Sequence, residues 1–98
     1  MVNCIVMSSE DNVATVLDKV LPGLELVVLD SGMERIGSVR SVAEIPFGHK
    51  ISLRNIGTDG DIIKYGEVIG KATNKIEAGD YVHIHNVISI EGSKKVKR

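Results

Sequence analysis

The segment His83-Ile84-His85-Asn86 sets two imidazoles two residues apart. On a strand, residues i and i+2 share a face, so this spacing projects His83 and His85 side by side. Two neutral imidazoles in that arrangement can chelate one divalent ion or donate hydrogen bonds to a carboxylate. The same spacing equally describes the polar face of a half-exposed strand whose Val82 and Ile84 turn toward a core. A catalytic metal commonly takes three protein ligands. The third histidine, His49 in Gly48-His49-Lys50, joins the pair only if the two strands lie together. Alternation puts His49 on the face of Ile51 and Leu53 unless Gly48 bends the chain.

Two other polar groups have types suited to anion recognition. Asp11-Asn12 stands ahead of an apolar stretch, where a helix N-terminus would offer backbone N–H groups to an anion; a plain helix cap is the alternative. Lys64, in Lys64-Tyr65-Gly66-Glu67, can pair with a substrate carboxylate or serve as a solvated strand charge. Gly66 and Gly70 do not form a phosphate loop, because no Gly-Lys-Ser/Thr follows them. No nucleophile–base–acid triad is supported by the spacing.

The elements that must hold these residues are mostly strands. Val13, Ala14, Val16, Leu17 and Val20 recur at helical spacing. They predict one short helix over 12–19, capped by Ser9 or Asp11 and ended by Pro22-Gly23. Elsewhere the pattern is β: strands over 3–7, 25–29, 38–42, 50–55, 62–65 and 67–72, and a longest run over 81–90. Turn clusters at Asp30-Ser31-Gly32, Ile45-Pro46-Phe47-Gly48 and Gly57-Thr58-Asp59-Gly60 separate them. Val20-x-x-Gly23-x-x-Leu26-x-Val28 is echoed by Ile45-x-x-Gly48-x-x-Ile51-x-Leu53 and by Ile76-x-x-Gly79-x-x-Val82-x-Ile84. Each unit is an apolar anchor, a glycine turn and an alternating strand. Short strands between Gly-rich turns predict a small barrel-like or clip-like β fold.

Composition bounds the function. Ninety-eight residues with 43% hydrophobic and 26% charged side chains suit one modest core. With three aromatics and no Trp, that core is built from Val, Ile and Leu. A net charge of −1 gives the whole chain no electrostatic commitment to nucleic acid or an anionic membrane. The basic residues Lys94, Lys95, Lys97 and Arg98 read as a solvated terminus. Cys4, the single cysteine, rules out an internal disulfide and reads as a buried thiol. No signal-like or membrane-length apolar stretch occurs, so a cytoplasmic location is expected.

Four segments also occur in a familiar order: Asp11-Asn12-Val13-Ala14-Thr15, Ile45-Pro46-Phe47-Gly48-His49-Lys50-Ile51, Ile63-Lys64-Tyr65-Gly66-Glu67-Val68-Ile69-Gly70, and Ala78-Gly79-Asp80-Tyr81-Val82-His83-Ile84-His85-Asn86-Val87. Together they resemble the SAF domain of the altronate/galactarate dehydratase family, found as an N-terminal domain there and as the small subunit of sulfolactate sulfo-lyase. The resemblance implies a β-clip (SAF-type) fold; with the short helix and the basic terminus read from the residues, the expectation is a mainly β domain with one short helix over 1–88 and a basic flexible tail over 89–98. The resemblance also implies elimination of water or sulfite from a hydroxy acid, and a divalent metal, most often iron. Carried onto this sequence, it suggests His49 and Lys50 as catalytic residues. It suggests Asp11, Asn12, Lys64 and Asn86 as substrate contacts, and His83 and His85 as metal ligands. The dehydratases carry a much larger C-terminal domain, so the expected partner is a larger catalytic lyase subunit, and exposed strand edges make a homo-oligomer plausible. A carboxylate-binding module without catalysis is the alternative. A self-contained enzyme ranks last, because so short a chain walls a pocket only in part.

Overall fold

The computed structural model describes residues 2–90; the basic residues 94–98 and most of the expected tail lie outside the described residues. The described chain is mainly β, with two small sheets, in keeping with a β-clip-like domain. Its strands are β1 (Asn3–Ile5), β2 (Val13–Val16), β3 (Glu25–Leu29), β4 (Arg35–Arg40), β5 (Lys50–Ser52), β6 (Asp61–Lys64), β7 (Glu67–Ala72), β8 (Tyr81–Val82) and β9 (Val87–Ser89). Six form one sheet in the order β4-β3-β1-β2-β5-β8, and three form a second in the order β6-β7-β9. β1 and β3 are parallel; the other pairs are antiparallel.

The anchor–glycine–strand units are the turns of this fold. Val20, Ile45 and Ile76 are fully buried, and the glycines three residues on have φ of +87°, +84° and +89°. A turn whose third residue needs positive φ selects glycine there. Ile56-x-x-Asp59-x-x-Ile62 is a fourth unit, with Asp59 at φ +67° in the glycine's place. Aspartate tolerates this conformation better than most residues, which disguises the unit in the sequence. The anchors pair across the molecule, Val20 with Ile45 and Ile56 with Ile76.

The helix expected over 12–19 is instead β2 followed by a bend. Val13 packs with Ile56, Ile62, Ala72, Ile76 and Val82 in one core. Ala14 and Val16 pack with Cys4, Leu26, Val28, Ile45 and Ile51 in the other. A strand buried on both faces loses its polar alternation, and its apolar positions then mimic helical spacing. The β-branched Val13, Thr15 and Val16 suit the extended form. Cys4 is fully buried, and burial pushes its thiol pKa up to about 12. No helix among the described residues is long and apolar enough to cross a membrane.

Asp11 and Asn12 join the two sheets. Asp11 is buried, and its carboxylate accepts backbone N–H bonds from Met7 (3.2 Å), Ser8 (3.0 Å), Tyr65 (3.1 Å) and Gly66 (2.8 Å). Asn12 donates from Nδ2 to the Asp61 carbonyl and accepts from the Ile63 N–H, both at 2.8 Å. The helix start on which anion capture by this pair was premised does not exist; the pair grips the β6–β7 hairpin instead. Asp11→Ala would leave four backbone donors without their acceptor, at a cost of roughly 3–5 kcal/mol. Urea unfolding monitored by circular dichroism measures this; a loss under about 1 kcal/mol would show that water replaces the carboxylate.

Candidate functional site

The expected strand over 81–90 is broken in two. β8 ends at Val82, a turn occupies His83–Asn86, and β9 begins at Val87. Asn86 makes the turn: its N–H donates to the His83 carbonyl (3.1 Å), its Oδ1 accepts from the His83 N–H (2.9 Å), and its Nδ2 donates to the Tyr81 carbonyl (2.8 Å). Its side chain is buried, so in this chain Asn86 shapes the loop that carries the histidines. Ile84 is 84% exposed at the loop tip rather than turned to a core. His83 and His85 therefore do not sit side by side on a strand face, as their spacing predicted. His83 is half-buried beside β8, and His85 is exposed.

Strand register explains which groups meet. β5 pairs with β8 so that Lys50 opposes Val82 and Ile51 opposes Tyr81. Continuing that register places His49 opposite His83, and their rings lie 4.7 Å apart. His49 does share the face of Ile51, as alternation requires. It needs no bend to reach the site, because this face runs out of the core at the strand end. Tyr81 is the hub. Its hydroxyl lies 2.7 Å from His49 Nδ1, its ring stacks with His83 at 5.6 Å, and His85 lies 5.2 Å from it. All three histidines thus gather about one phenol that the histidine spacing did not flag. Its signal was positional: Tyr81 stands two residues before His83.

Lys50 leaves β5 on the opposite face from His49. There, with His83, it forms one end of an open cavity of about 220 Å³ walled by Ile62, Ile69, Val82 and Val87. Among the described residues no acidic side chain lines this cavity, and Lys50 forms no ion pair. Burial, then the charge of Lys64, holds the Lys50 ammonium below the usual lysine range. Partial desolvation, then the charges of His49, Lys50 and His85, holds His83 below the ordinary imidazole value. Lys64 itself ends β6 with its ammonium 5.2 Å from the Tyr65 ring, outside the cavity lining.

The electrostatic coupling is testable in the isolated chain. Lys50→Gln removes one positive neighbour of His83, so the His83 titration moves upward. Following its ring protons by NMR against pH measures the shift; an unmoved midpoint would disconnect the two groups.

The divalent metal implied by the resemblance is not matched by a complete donor set in this chain. Among the described residues no group of three or more His, Cys, Asp or Glu side chains is placed to hold a metal ion. His49 turns one ring nitrogen to Tyr81, which occupies a donor atom that a metal shell would need. No chemical step is assigned to a metal here. What the arrangement offers is an anion-attracting end, made of Lys50 and the His83 imidazole, on a largely apolar cavity.

Comparison with known proteins places this geometry. The chain is 44% identical over 43 residues to the (2R)-sulfolactate sulfo-lyase subunit alpha of Chromohalobacter salexigens, covering 44% of this chain and 46% of that subunit. It is 41% identical over 49 residues to the altronate dehydratase of Bacillus subtilis, covering 50% of this chain and 10% of that enzyme. It is 37% identical over 76 residues to the altronate dehydratase of Escherichia coli, covering 78% of this chain and 14% of that enzyme. The match thus spans about half of the sulfo-lyase subunit and a small fraction of the dehydratases. The family profile described as the altronate/galactarate dehydratase SAF domain matches residues 2–90, nearly the whole chain. From β1 through the histidine turn to β9, the fold lies within that match, and the chain belongs to the altronate/galactarate dehydratase SAF domain family.

Proposed function

We propose that this chain is the small accessory subunit or domain of a cytoplasmic hydroxy-acid lyase and completes an active site with a larger catalytic chain. One observation carries the reading: Lys50, with a lowered pKa and no ion-pair partner among the described residues, stands with His83 at the cationic end of an open cavity. Elimination from a hydroxy acid begins with loss of a proton next to the carboxylate. A lysine held below its usual range offers more neutral amine at a given pH, and a neutral amine can accept that proton. Imidazole N–H groups can hold the carboxylate as it takes on enediolate charge. Lys50 is assigned the first role, and His83, which lines the same cavity, the second. His85, exposed at the turn, faces the larger chain and is the group from which a shared metal site would draw. Asp11, Asn12 and Asn86 support the site through backbone contacts, and Lys64 contributes its charge. Whether the departing group is water or sulfite is set by the larger chain.

The test is reconstitution. The larger chain encoded with this one, purified separately, is mixed with it and assayed on altronate, galactarate and sulfolactate. Turnover on mixing, absent from either chain alone, is expected. No turnover of any of them by the mixture would defeat the proposal, as would full turnover by this chain alone. The same cationic cavity end suits a carboxylate-binding module; binding by the isolated chain in calorimetry, with no turnover on mixing, would favour that second reading.

A further inference from the structure

We infer that Tyr81 is a positioning residue that locks His49 in its Nε2–H tautomer and so fixes Nε2–H as a hydrogen-bond donor on the face of β5 away from the Lys50 cavity. The contact between the phenol oxygen and His49 Nδ1 is 2.7 Å long. That length is usual for an O–H donor, whereas N–H donors prefer about 2.9–3.0 Å. The phenol is the better donor of the two groups and the neutral imidazole nitrogen the better acceptor. Among the described residues the Tyr81 hydroxyl has no other hydrogen-bond partner, and Nε2 of His49 has none. Donation from Tyr81 therefore occupies Nδ1 and leaves the ring proton on the free nitrogen.

The fold holds Tyr81 firmly enough to impose this choice. Its backbone lies on the β5–β8 ladder opposite Ile51, its ring packs on the first core, and its N–H is bonded to the Asp80 carboxylate at 2.8 Å. The ring is clamped again by stacking on His83. With Nε2 carrying the proton, neutral His49 offers a hydrogen-bond donor at that nitrogen and cannot take a proton there. The task of base then falls to Lys50, on the other face of the same strand. This division of labour rests on the lyase reading; the tautomer does not.

The experiment is long-range nitrogen–proton NMR of the isolated chain, at a pH where imidazoles are neutral. In the wild type, Nδ1 of His49 is expected as the unprotonated nitrogen, with the other tautomer under about a tenth of the population. In Tyr81→Phe both tautomers are expected together. Tyr81→Trp serves as the control that keeps an aromatic ring but cannot donate to the same point. A wild-type His49 protonated at Nδ1, or an unchanged tautomer in Tyr81→Phe with an otherwise conserved amide spectrum, overturns the inference. Either result leaves the reconstitution assay untouched, so the two readings fail separately.

Discussion

Gly79→Ala is expected to cost roughly 2–5 kcal/mol of stability, while Gly48→Ala costs only about 1–2 kcal/mol. Both glycines hold the same place in the repeating unit, at φ +89° and +84°, so both substitutions incur the strain of a left-handed L-residue. The difference is space. A Cβ on Gly48 meets nothing within 4 Å, but one on Gly79 runs into the carbonyl oxygen of Arg40 and lies 3.3 Å from the Ser41 Cα. That neighbour is backbone, and Gly79 is itself committed: it donates to the Ser52 carbonyl at 2.7 Å and accepts from the Val42 N–H at 3.0 Å. The turn cannot retreat without breaking the contacts that bring the end of β4 against β5 and β8. Equilibrium urea denaturation of the two variants side by side checks this. Equal losses would mean that φ strain alone governs both positions.

Lys50→Met is expected to lower kcat of the reconstituted lyase by about 10²–10⁴-fold, the usual worth of a positioned general base. Lys50→Arg separates the possible roles. Arginine keeps the charge but stays protonated at any working pH. If Lys50 takes the proton, Arg is as poor as Met; if it only pairs with the substrate carboxylate, Arg restores most of the rate. The pH profile gives the sign independently. The neutral amine is the active form, so kcat/KM climbs with pH. Because burial and Lys64 depress the Lys50 pKa, the rise levels off below the ordinary lysine range. A profile flat through that region, or rescue by arginine, removes Lys50 as the base.

Where sequence and structure agree, the residues show why. β3 and β7 fall on the expected 25–29 and 67–72, because each is bounded by turn residues. The glycine units were readable since positive φ selects glycine so strongly. Legibility fails where one residue serves two demands. β2 mimics helical spacing because both its faces are buried. The run over 81–90 has the pattern of one strand because Asn86 hides a turn in an apolar context by bonding its own neighbours. At the site, the pairing of β5 with β8 is a long-range register that local periodicity does not contain. His49 opposite His83 and the hub at Tyr81 became visible only with that register.

β2 also sets how the molecule comes apart. Val13 is part of one core, and Ala14 and Val16 are part of the other. Opening either sheet strips one side of this shared wall and exposes buried apolar surface to water. Two hydrophobic clusters that would otherwise melt in turn are thereby coupled into a single cooperative unit. The slowest-exchanging amides of both sheets should then report the same opening free energy, and the histidine turn, seated between β8 and β9, stays formed for as long as either sheet does.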